Sequence, residues 1–414
     1  MTKPFRIGVF HPGTQHSWQT ALAFQQAGTL GWYATSVFYD PTRWPYRIER
    51  LLPPGLRQRV NKEFRRRYTA TLDPTKVRQL DPVEWFETAV ARLGFERFGD
   101  WLNMAGNRTF ARSVARLCER EPVDMVWGYD TAALELFEWA KPRGILCVLD
   151  RTIAHPNHYN EAMTAAWAKH PEFFPKPFVP KPPELIEREH REIMLADKVV
   201  VGSSMCARTL LDAGCAPEKL HVVPYGFDET VFSPVRPVRP PLDGRPMRFL
   251  FVGLVGPRKG VPDLLKSFAG ISLRHASLDL VGHRESPSDV LARYADRVTF
   301  HPPVRRAEVV DFYARADCFI FPSLAEGGAI VLAEAIGSGL GIVQTYGGGE
   351  GATHDVSGMV LDSGELLPGA LDRVLSRPAV VEEWQDAAWA QAPQRRWQEY
   401  RAKVAALATR WMSE

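Results

Sequence analysis

A proline-rich stretch interrupts an otherwise regular alternation of apolar runs and helical segments, and this pattern constrains the fold more than any other feature. The stretch covers residues 234–246, and a helical pattern follows most of the apolar runs on either side of it. Strands that alternate with helices predict a parallel sheet covered on both faces. Because single cores stop growing near ~250–300 residues, a chain of 414 residues is expected to form two such α/β domains.

Short apolar runs mark the expected strands on both sides of the break. They are residues 5–10, 123–127, 145–149 and 198–201 before it, and 247–252, 278–281, 298–300, 318–321 and 342–344 after it. The proline-rich stretch is expected to be a stiff linker. The predicted domain organisation is an N-terminal domain over 1–233, the linker over 234–246, a second domain over 247–390 and a C-terminal helix over 391–414. That helix places aromatic residues from Trp397 to Trp411 near one face, so we expect it to return to the N-terminal domain.

Composition argues against several classes of protein. The five cysteines are scattered and form no C-x-x-C pair, and no Asp-x-Asp or His and carboxylate cluster has metal-ligand spacing. We therefore expect no disulfide framework, no essential metal and no cofactor. No apolar run approaches the ~18 residues of a membrane helix, no signal-peptide core is present, and a net charge of +3 is too small to indicate nucleic-acid binding. These features predict a cytoplasmic protein.

Positive charge is concentrated in one segment of the N-terminal half. Its cations are Arg43, Arg47, Arg50, Arg57, Arg59, Lys62, Arg65, Arg66 and Arg67. The segment is either a solvated helical face or a basic surface that meets anionic lipid headgroups or an acidic acceptor, where each cation contributes about 1 kcal/mol. The second interpretation predicts a peripheral contact with the inner face of a membrane.

A proline-studded loop over residues 171–183 is irregular yet apolar. It is either an ordered surface connection or a loop that contacts an acceptor or a partner.

Ligands of open parallel sheets bind at the carboxyl ends of the strands, so the loops that follow strands are the places to look. Residues 251–260 set glycines and two adjacent cations, Arg258 and Lys259, between an apolar run and the start of a helix. Backbone N–H groups and these cations would form a diphosphate site. The alternative is an ordinary turn with solvated cations.

A second loop carries two carboxylates seven residues apart. Glu326 precedes Gly327 and Gly328, which let a backbone approach a ligand closely, and Glu334 lies two helical turns further on. A carboxylate in an otherwise apolar helix is costly to bury without partners, and paired sugar hydroxyls would suit it. On spacing alone, an exposed helix residue is the favoured interpretation of Glu334.

Several motifs in order resemble the family-4 glycosyltransferases. The pattern of that family is Glu, seven residues, Glu, preceded by Pro-Ser and followed by Ala and a Gly-x-Pro turn. The chain has Pro322-Ser323, Glu326, Glu334-Ala335 and Gly339-Leu340-Gly341, with glycine in place of the proline. The similarity continues upstream through residues 196–203 and 218–234 and extends in outline to the first 180 residues.

The resemblance implies a GT-B fold, in which two doubly wound Rossmann-like α/β domains face a central cleft and a C-terminal helix packs back. It also implies a retaining transfer of a hexosyl unit from a UDP- or GDP-sugar to a saccharide or lipid-linked saccharide acceptor, in polysaccharide or glycoconjugate synthesis. A departing phosphate oxygen takes the acceptor proton in such enzymes, so no general base is assigned. The domains are expected to close over the donor and exclude water.

Roles follow residue by residue from the resemblance. Glu334 would bind the ribose hydroxyls, Glu326 the transferred sugar and Lys259 the diphosphate. N–H groups of the segment from Gly327 through Gly328 to Ala329 would hold the sugar hydroxyls. Leu254 stands where the family usually has a phosphate-binding arginine, so Arg258 is expected to substitute for it.

Two loops of the N-terminal half complete the predicted site. Gly13 corresponds in position to a family glycine that approaches the donor phosphate, and His16 is either an acceptor ligand or a helix-start residue. Family members often have a histidine near the reacting carbon in this part of the first domain, and His155 is preferred over His158 for that role, with a structural histidine as the alternative. Asp150 and Arg151 either bind the acceptor or order their loop. The catalytic set is therefore Glu326, His155 and Lys259.

Two other functions fit the same motifs. One is a nucleotide-sugar hydrolase or epimerase on the same scaffold. The other is a non-catalytic nucleotide-sugar-binding subunit, which the loss of the arginine at Leu254 would permit.

Overall fold

The computed structural model describes residues 5–13, 15–36, 38, 53, 71–80, 96–232 and 235–414, and of residues 96–105 it describes the backbone alone. The chain divides into two compact units. Unit 1 comprises Met1–Asp150, Glu187–Val200 and Arg401–Glu414, and unit 2 comprises Arg151–Ile186 and Val201–Tyr400. The basic segment of residues 43–67 lies outside the described residues apart from Pro53.

The first sheet has seven strands in the order β3-β2-β1-β4-β5-β6-β7. They are β1 (Ile7–Phe10), β2 (Leu30–Thr35), β3 (Val77–Gln79), β4 (Met125–Tyr129), β5 (Leu146–Arg151), β6 (Lys198–Val201) and β7 (Leu220–Val222). The pairings of β1 with β2 and with β4, of β2 with β3 and of β4 with β5 are parallel. The apolar runs predicted four of these strands, whereas β2, β3 and β7 were not predicted.

The second sheet has six strands in the order β10-β9-β8-β11-β12-β13. They are β8 (Met247–Val252), β9 (Ala276–Val281), β10 (Thr299–His301), β11 (Cys318–Phe321), β12 (Gly341–Thr345) and β13 (Gly358–Leu361). All five pairings between neighbouring strands are parallel. A parallel sheet covered by helices buries both faces, which is why β11 and β12 are buried at every residue.

Thirteen α-helices of four or more residues lie in the described ranges. They are α1 (Ser17–Gln26), α2 (Glu96–Arg120), α3 (Leu134–Ala140), α4 (Pro156–Lys169), α5 (Pro183–Leu195), α6 (Ser204–Asp212), α7 (Val261–Ala269), α8 (Ser288–Ala292), α9 (Arg306–Arg315), α10 (Ile330–Gly337), α11 (Leu367–Ser376), α12 (Ala379–Gln391) and α13 (Trp397–Trp411). None of them combines the length and the apolar character that a membrane crossing requires.

The core of the second sheet is rich in aromatic rings. Phe319 and Phe321 of β11 stack at 6.0 Å, and Phe251 of β8 stacks on Phe321 at the same distance. Tyr313 of α9 continues the stack, 5.5 Å from Phe319. These rings fix the spacing between the neighbouring strands β8 and β11 and helix α9, and those elements carry the candidate site.

The proline-rich stretch is anchored within unit 2. Arg239 donates hydrogen bonds at 2.6–3.1 Å to four carbonyl oxygens at the carboxyl ends of α9 and α10. Arg245 binds both carboxylate oxygens of Asp317, at 2.7 and 2.9 Å. These contacts hold the stretch against the rest of unit 2. The expected stiffness of the linker and the predicted domain boundaries at 233, 246 and 390 stay predictions.

The loop over residues 171–183 starts as an ordered connection. Pro171–Phe173 forms a short helical turn, and Phe173 is fully buried in the core of unit 2. The preceding His170 binds Asp263 at 2.9 Å and accepts a hydrogen bond from Lys266 at 2.8 Å. The start of the loop is therefore ordered, and a contact of the loop with an acceptor or a partner stays a prediction.

Helix α13 has its first residues in unit 2 and its last in unit 1. In unit 2, the rings of Trp397 and Tyr400 lie 6.2 and 6.1 Å from the ring of Tyr225. In unit 1, Trp411 packs on Trp127 with ring centroids 6.0 Å apart. Aromatic residues on one helical face are thus used for packing, as the sequence pattern indicated.

Candidate functional site

The strand order of the second sheet places a switch point between β8 and β11. The chain leaves β8 toward β9 on one side and returns to β11 on the other, so the loops that follow β8 and β11 diverge at the carboxyl edge of the sheet. Crevices of this kind are where ligands bind in open parallel sheets. The two loops are residues 253–260 and 322–329, which carry the predicted diphosphate cations and Glu326.

Three donors converge on a single oxygen of Glu326. Arg258 donates to Oε1 at 2.8 Å and Ser323 Oγ at 2.6 Å, and Lys259 Nζ donates to the same oxygen. Glu326 itself is only 8% exposed. Among the described residues, no donor contacts Oε2, so the carboxylate holds the two cations together with one oxygen, and the other oxygen has no protein donor.

Backbone contacts build this arrangement. Gly260 has φ +67° at the start of α7, and a Cβ there would lie 1.9 Å from the carbonyl oxygen of Pro322. Leu324 N donates to the carbonyl oxygen of Arg258 at 2.9 Å. Only glycine permits this close approach, and the approach brings the two loops within hydrogen-bond distance of each other.

Lys259 lies in an unusual electrostatic environment. Burial lowers the pKa of its ammonium group, and the charge of Glu326 opposes that effect. The ammonium also lies 5.0 Å from the ring centroid of Phe321. Two cations share one carboxylate here, so the cluster keeps a net positive charge that suits a diphosphate.

Glu334 lies on α10 and is 7% exposed. Tyr313 Oη donates to its Oε2 at 3.1 Å, and the Arg306 guanidinium lies 3.6 Å from its Oε1. Burial raises the pKa of Glu334 to about 7, although Arg306 and Tyr313 oppose that shift. The carboxyl group is therefore buried, but few protein donors satisfy it.

The amino end of α10 lies between the two carboxylates in sequence. No side chain caps this helix at Ala329, so its first N–H groups can bind an anion or a hydroxyl oxygen. That arrangement fits the predicted role of the N–H groups from Gly327 to Ala329.

Gly327 and Gly328 have structural neighbours that already require glycine. A Cβ on Gly327 would lie 2.0 Å from the carbonyl oxygen of Thr152, and one on Gly328 would lie 2.9 Å from the ring of Tyr225. Close approach to a ligand is therefore not needed to explain either glycine. Their predicted contact with the sugar stays a prediction.

The loop that carries His155 packs on the loop that carries Glu326. Besides the contact of Thr152 with Gly327, Ala154 packs with Ala325. His155 is 2% exposed, and its Nδ1 accepts a hydrogen bond from the N–H of Asn157 at 3.3 Å, which caps α4. The structure thus gives His155 a capping role, and its action at the reacting carbon stays a prediction.

Asp150 and Arg151 end strand β5, although the sequence pattern placed them in the following loop. Asp150 is fully buried, accepts a hydrogen bond from Trp127 Nε1 at 3.1 Å and lies 3.3 Å from His16 Nε2. Arg151 donates to the carbonyl oxygens of Ile153 and Ala154 at 2.8 and 3.0 Å. Backbone pairing with Tyr129 of β4 carries the strand to Asp150. Arg151 orders its own loop, which is one of the two roles expected for it.

Gly13 and His16 belong to unit 1. The ring of His16 meets the ring of Tyr129 edge-on at 5.2 Å, and His11 does the same at 5.1 Å. Burial lowers the pKa of His11, although a backbone hydrogen bond to Gly13 opposes this. Unit 1 therefore brings His16 and Asp150 together, whereas Arg258, Lys259, Glu326 and Glu334 lie in unit 2.

Comparison with known proteins assigns the loops of unit 2 to a family. Residues 246–377 match the family described as Glycosyl transferases group 1. The segment is similar to that family, and we refer to it as the group 1 domain. It contains both cations and both carboxylates of the predicted donor site, whereas His155 lies outside it.

The curated relatives that the chain matches are also glycosyltransferases by name. D-inositol 3-phosphate glycosyltransferase 1 from Catenulispora acidiphila is 31% identical over 191 residues, which are 41% of this chain and 45% of that protein. The D-inositol 3-phosphate glycosyltransferase of Mycolicibacterium smegmatis is 30% identical over 234 residues, which are 50% of this chain and 54% of that protein. The chain thus spans about half the length of the curated relatives it matches.

Solved structures extend the likeness to the fold of the chain. Sucrose-phosphate synthase from Thermosynechococcus elongatus aligns with a TM-score of 0.67 over 99% of both chains at 15% identity. HepE from Anabaena, in complex with UDP-glucose, aligns with a TM-score of 0.59 over 98% of this chain and 99% of its own at 14% identity. The expected GT-B fold class is confirmed.

The group 1 domain contains site residues that sequence reasoning missed. Ser323 was noted only as part of the Pro-Ser motif, and Arg306 and Tyr313 were not identified. Tyr313 and Glu334 are 21 residues apart, and no periodicity within one helix relates them. Only packing between α9 and α10 brings them together.

Metal binding has no support among the described residues. No group of three or more His, Cys, Asp and Glu side chains in the described ranges could hold a metal ion. A metal-free reaction of the group 1 domain stays a prediction that a chelator can test.

Proposed function

We propose that the chain is a retaining glycosyltransferase that moves a hexosyl unit from a UDP- or GDP-sugar to a saccharide or lipid-linked saccharide acceptor. The observation that carries this proposal is the convergence of Arg258 and Lys259 on Glu326 at the switch point of a group 1 domain. Two cations beside a carboxylate that keeps one oxygen for a ligand suit a diphosphate joined to a sugar.

The cations lower the barrier as the diphosphate leaves. The bond between the anomeric carbon and the phosphate oxygen breaks, and negative charge grows on that oxygen. Arg258 and Lys259 bind this growing charge more strongly than they bind the ground state, which is the condition for acceleration. The acceptor oxygen bonds to the same face of the anomeric carbon, and its proton passes to the departing phosphate oxygen.

Glu326 orders both the cations and the sugar in this proposal. Its Oε1 holds Arg258 and Lys259 in position, and its Oε2 accepts a hydroxyl of the transferred sugar. The uncapped amino end of α10 supplies N–H groups for further sugar hydroxyls. Glu334 accepts the ribose hydroxyls of the nucleotide.

The similar proteins suggest which substrates to test first. HepE binds UDP-glucose, so UDP-glucose is the first donor. The curated relatives are named for inositol 3-phosphate, so this phosphorylated polyol belongs in the acceptor panel beside neutral saccharides and a lipid-linked saccharide.

We also propose a cytoplasmic location with peripheral contact at the inner membrane face, carried by the basic segment of residues 43–67. Sedimentation with vesicles of anionic lipid at low salt tests this contact. Equal binding to neutral vesicles would count against it, because the attraction is electrostatic.

The function is tested in two steps with the purified protein. Thermal stability is measured with UDP, GDP, ADP and their sugars, with and without EDTA. A ligand at 100 times its dissociation constant stabilises a protein by about 2.7 kcal/mol, so one nucleotide should shift the transition and EDTA should not reverse the shift.

The second step incubates the preferred donor with and without each acceptor and identifies the products by mass spectrometry and NMR. A new glycoside whose anomeric configuration matches that of the donor supports the proposal. Free sugar or an epimerised donor without acceptor would indicate a hydrolase or epimerase, and binding without turnover would indicate a non-catalytic subunit.

A further inference from the structure

Helix α9 supplies the polar contacts of Glu334. Arg306 is the first residue of α9 and faces Oε1, while Tyr313 lies two turns later and donates to Oε2. Each carboxylate oxygen therefore faces one residue of α9. Tyr313 is fully buried, whereas the Arg306 side chain is 46% exposed.

The protonation state of Glu334 depends on burial and on the charged groups around it, which have opposite effects. The ionisable groups that face it are Arg306 and Tyr313 of α9, with Asp228 from the segment after β7. Burial raises the pKa of the carboxyl group to about 7, Arg306 opposes this shift, and Asp228 adds to it. Burial and Glu334 together raise the pKa of Tyr313 far above its ordinary value, so its hydroxyl remains a donor.

We propose that Arg306 is a positioning residue for the nucleotide, because it keeps Glu334 as a carboxylate whose oxygens can accept both ribose hydroxyls. This inference rests on the proposed function, in which Glu334 binds ribose. A carboxylate only accepts hydrogen bonds, whereas the protonated acid turns one oxygen into a donor. A pair of ribose hydroxyls is therefore bound best by the ionised form, and Arg306 acts without touching the nucleotide.

The test measures the affinity of the full chain for UDP and for 2′,3′-dideoxyuridine diphosphate by calorimetry between pH 6 and pH 9. The diphosphate titrates in both ligands, so the ratio of the two affinities isolates the ribose hydroxyls. The variants are Arg306→Gln and Arg306→Lys. Arg305→Gln is the matched control, because the neighbouring Arg305 is 80% exposed and pairs with Glu308 instead.

In the wild type, the preference for UDP over the dideoxy ligand should rise by up to about tenfold from pH 6 to pH 8, because Glu334 ionises in this range. Arg306→Gln should move the rise upward by about half a pH unit and lower UDP affinity about threefold at pH 6 and about twofold at pH 7, the size expected for a partly exposed ion pair. The loss should vanish at pH 9, Arg306→Lys should restore most of the affinity, and Arg305→Gln should match the wild type.

Three results would overturn the inference while nucleotide binding stands. They are an unchanged affinity in Arg306→Gln, a loss that persists at pH 9, and an equal loss for the dideoxy ligand. The last two would mean that Arg306 contacts the ligand directly or supports the fold. If the wild type binds none of UDP, GDP and ADP, the proposed function itself fails.

Discussion

Glu192 in unit 1 and Glu334 in unit 2 are both buried carboxyl groups whose pKa burial raises to about 7. Their surroundings differ. Glu192 accepts hydrogen bonds from the N–H groups of Thr131, Ala133 and Leu134 at 2.8, 3.1 and 3.1 Å, and so caps α3 from another helix. Glu334 accepts one hydrogen bond from Tyr313 and faces Arg306 at 3.6 Å.

The contrast between Glu192 and Glu334 shows how a candidate ligand-binding carboxylate can be distinguished from a structural one. A raised pKa alone would mark both residues as functional candidates. Hydrogen-bond satisfaction separates them, because the protein supplies Glu192 with three donors, whereas Glu334 accepts one hydrogen bond and faces one guanidinium. Glu326 combines the two cases, since one oxygen serves the protein and the other remains for a ligand.

The largest expected effect concerns the cations around Glu326. Lys259→Met should lower the turnover of donor by about 10²–10³-fold, the usual consequence of removing one donor to a developing oxyanion. Lys266→Met on the same segment is the control, because Lys266 contacts His170 and Glu172 instead. Steady-state kinetics measure the turnover of both variants. An equal loss of turnover in the two would contradict the assignment of Lys259 to the site and of Lys266 to the fold.

The next effect compares the two carboxylates directly. Glu334→Gln should weaken nucleotide binding about 10- to 100-fold, because hydrogen bonds to a charged group contribute about 1.5–3 kcal/mol. Glu192→Gln should leave the affinity within about twofold, since Glu192 only caps a helix. Calorimetric titration of both variants gives the result. Comparable losses of nucleotide affinity in the two variants would show that burial of the carboxyl group determines the effect, and not an oxygen that lacks a protein donor.

A third prediction concerns stability against pH. Each carboxyl group has a folded pKa near 7 against an ordinary value of 4.5, so the folded state favours the protonated acid. The stability that each protonated carboxyl group contributes to the folded state is fully present below pH 4.5 and is lost as the pH rises through about 7. At pH 8, Glu334→Gln should therefore raise the free energy of unfolding, by on the order of 3 kcal/mol.

Glu192→Gln should gain less at pH 8, because its amide group would point a donor at backbone N–H groups, at a cost of about 1–3 kcal/mol. Denaturant unfolding at pH 5 and pH 8 measures both variants. A gain for Glu192→Gln as large as that for Glu334→Gln would contradict the assigned difference.

The smallest effect concerns His155, whose capping role resembles that of Glu192. His155→Ala should lower the free energy of unfolding by about 1 kcal/mol, whereas His155→Asn can still cap α4 and should keep the stability. If His155 acts at the reacting carbon, as the resemblance implies, His155→Asn should lose turnover about tenfold. Full activity of this variant would reduce His155 to a structural residue.

Local sequence motifs predicted the strands and site residues of the group 1 domain better than those of unit 1. Strand β11, the loop after it and helix α10 are contiguous, so the resemblance to a family motif could single out Glu326 and Glu334, which spacing alone could not. In unit 1, β3 has only three residues and was missed, because so short a run carries little periodicity. Gly327 and Gly328 were interpreted as ligand contacts, although Thr152 and Tyr225 already require them.

The α/β class and the motifs that carry Arg258, Lys259, Glu326 and Glu334 can be read from the chain alone, because they depend on periodicity and on neighbours along the chain. A domain break near residues 234–246 stays a prediction. Tertiary structure alone decided which oxygen of Glu326 the cations share, and that Tyr313 and Arg306 face Glu334. Burial and packing between separate helices set pKa values and hydrogen bonds, and residues distant in sequence supply those contacts.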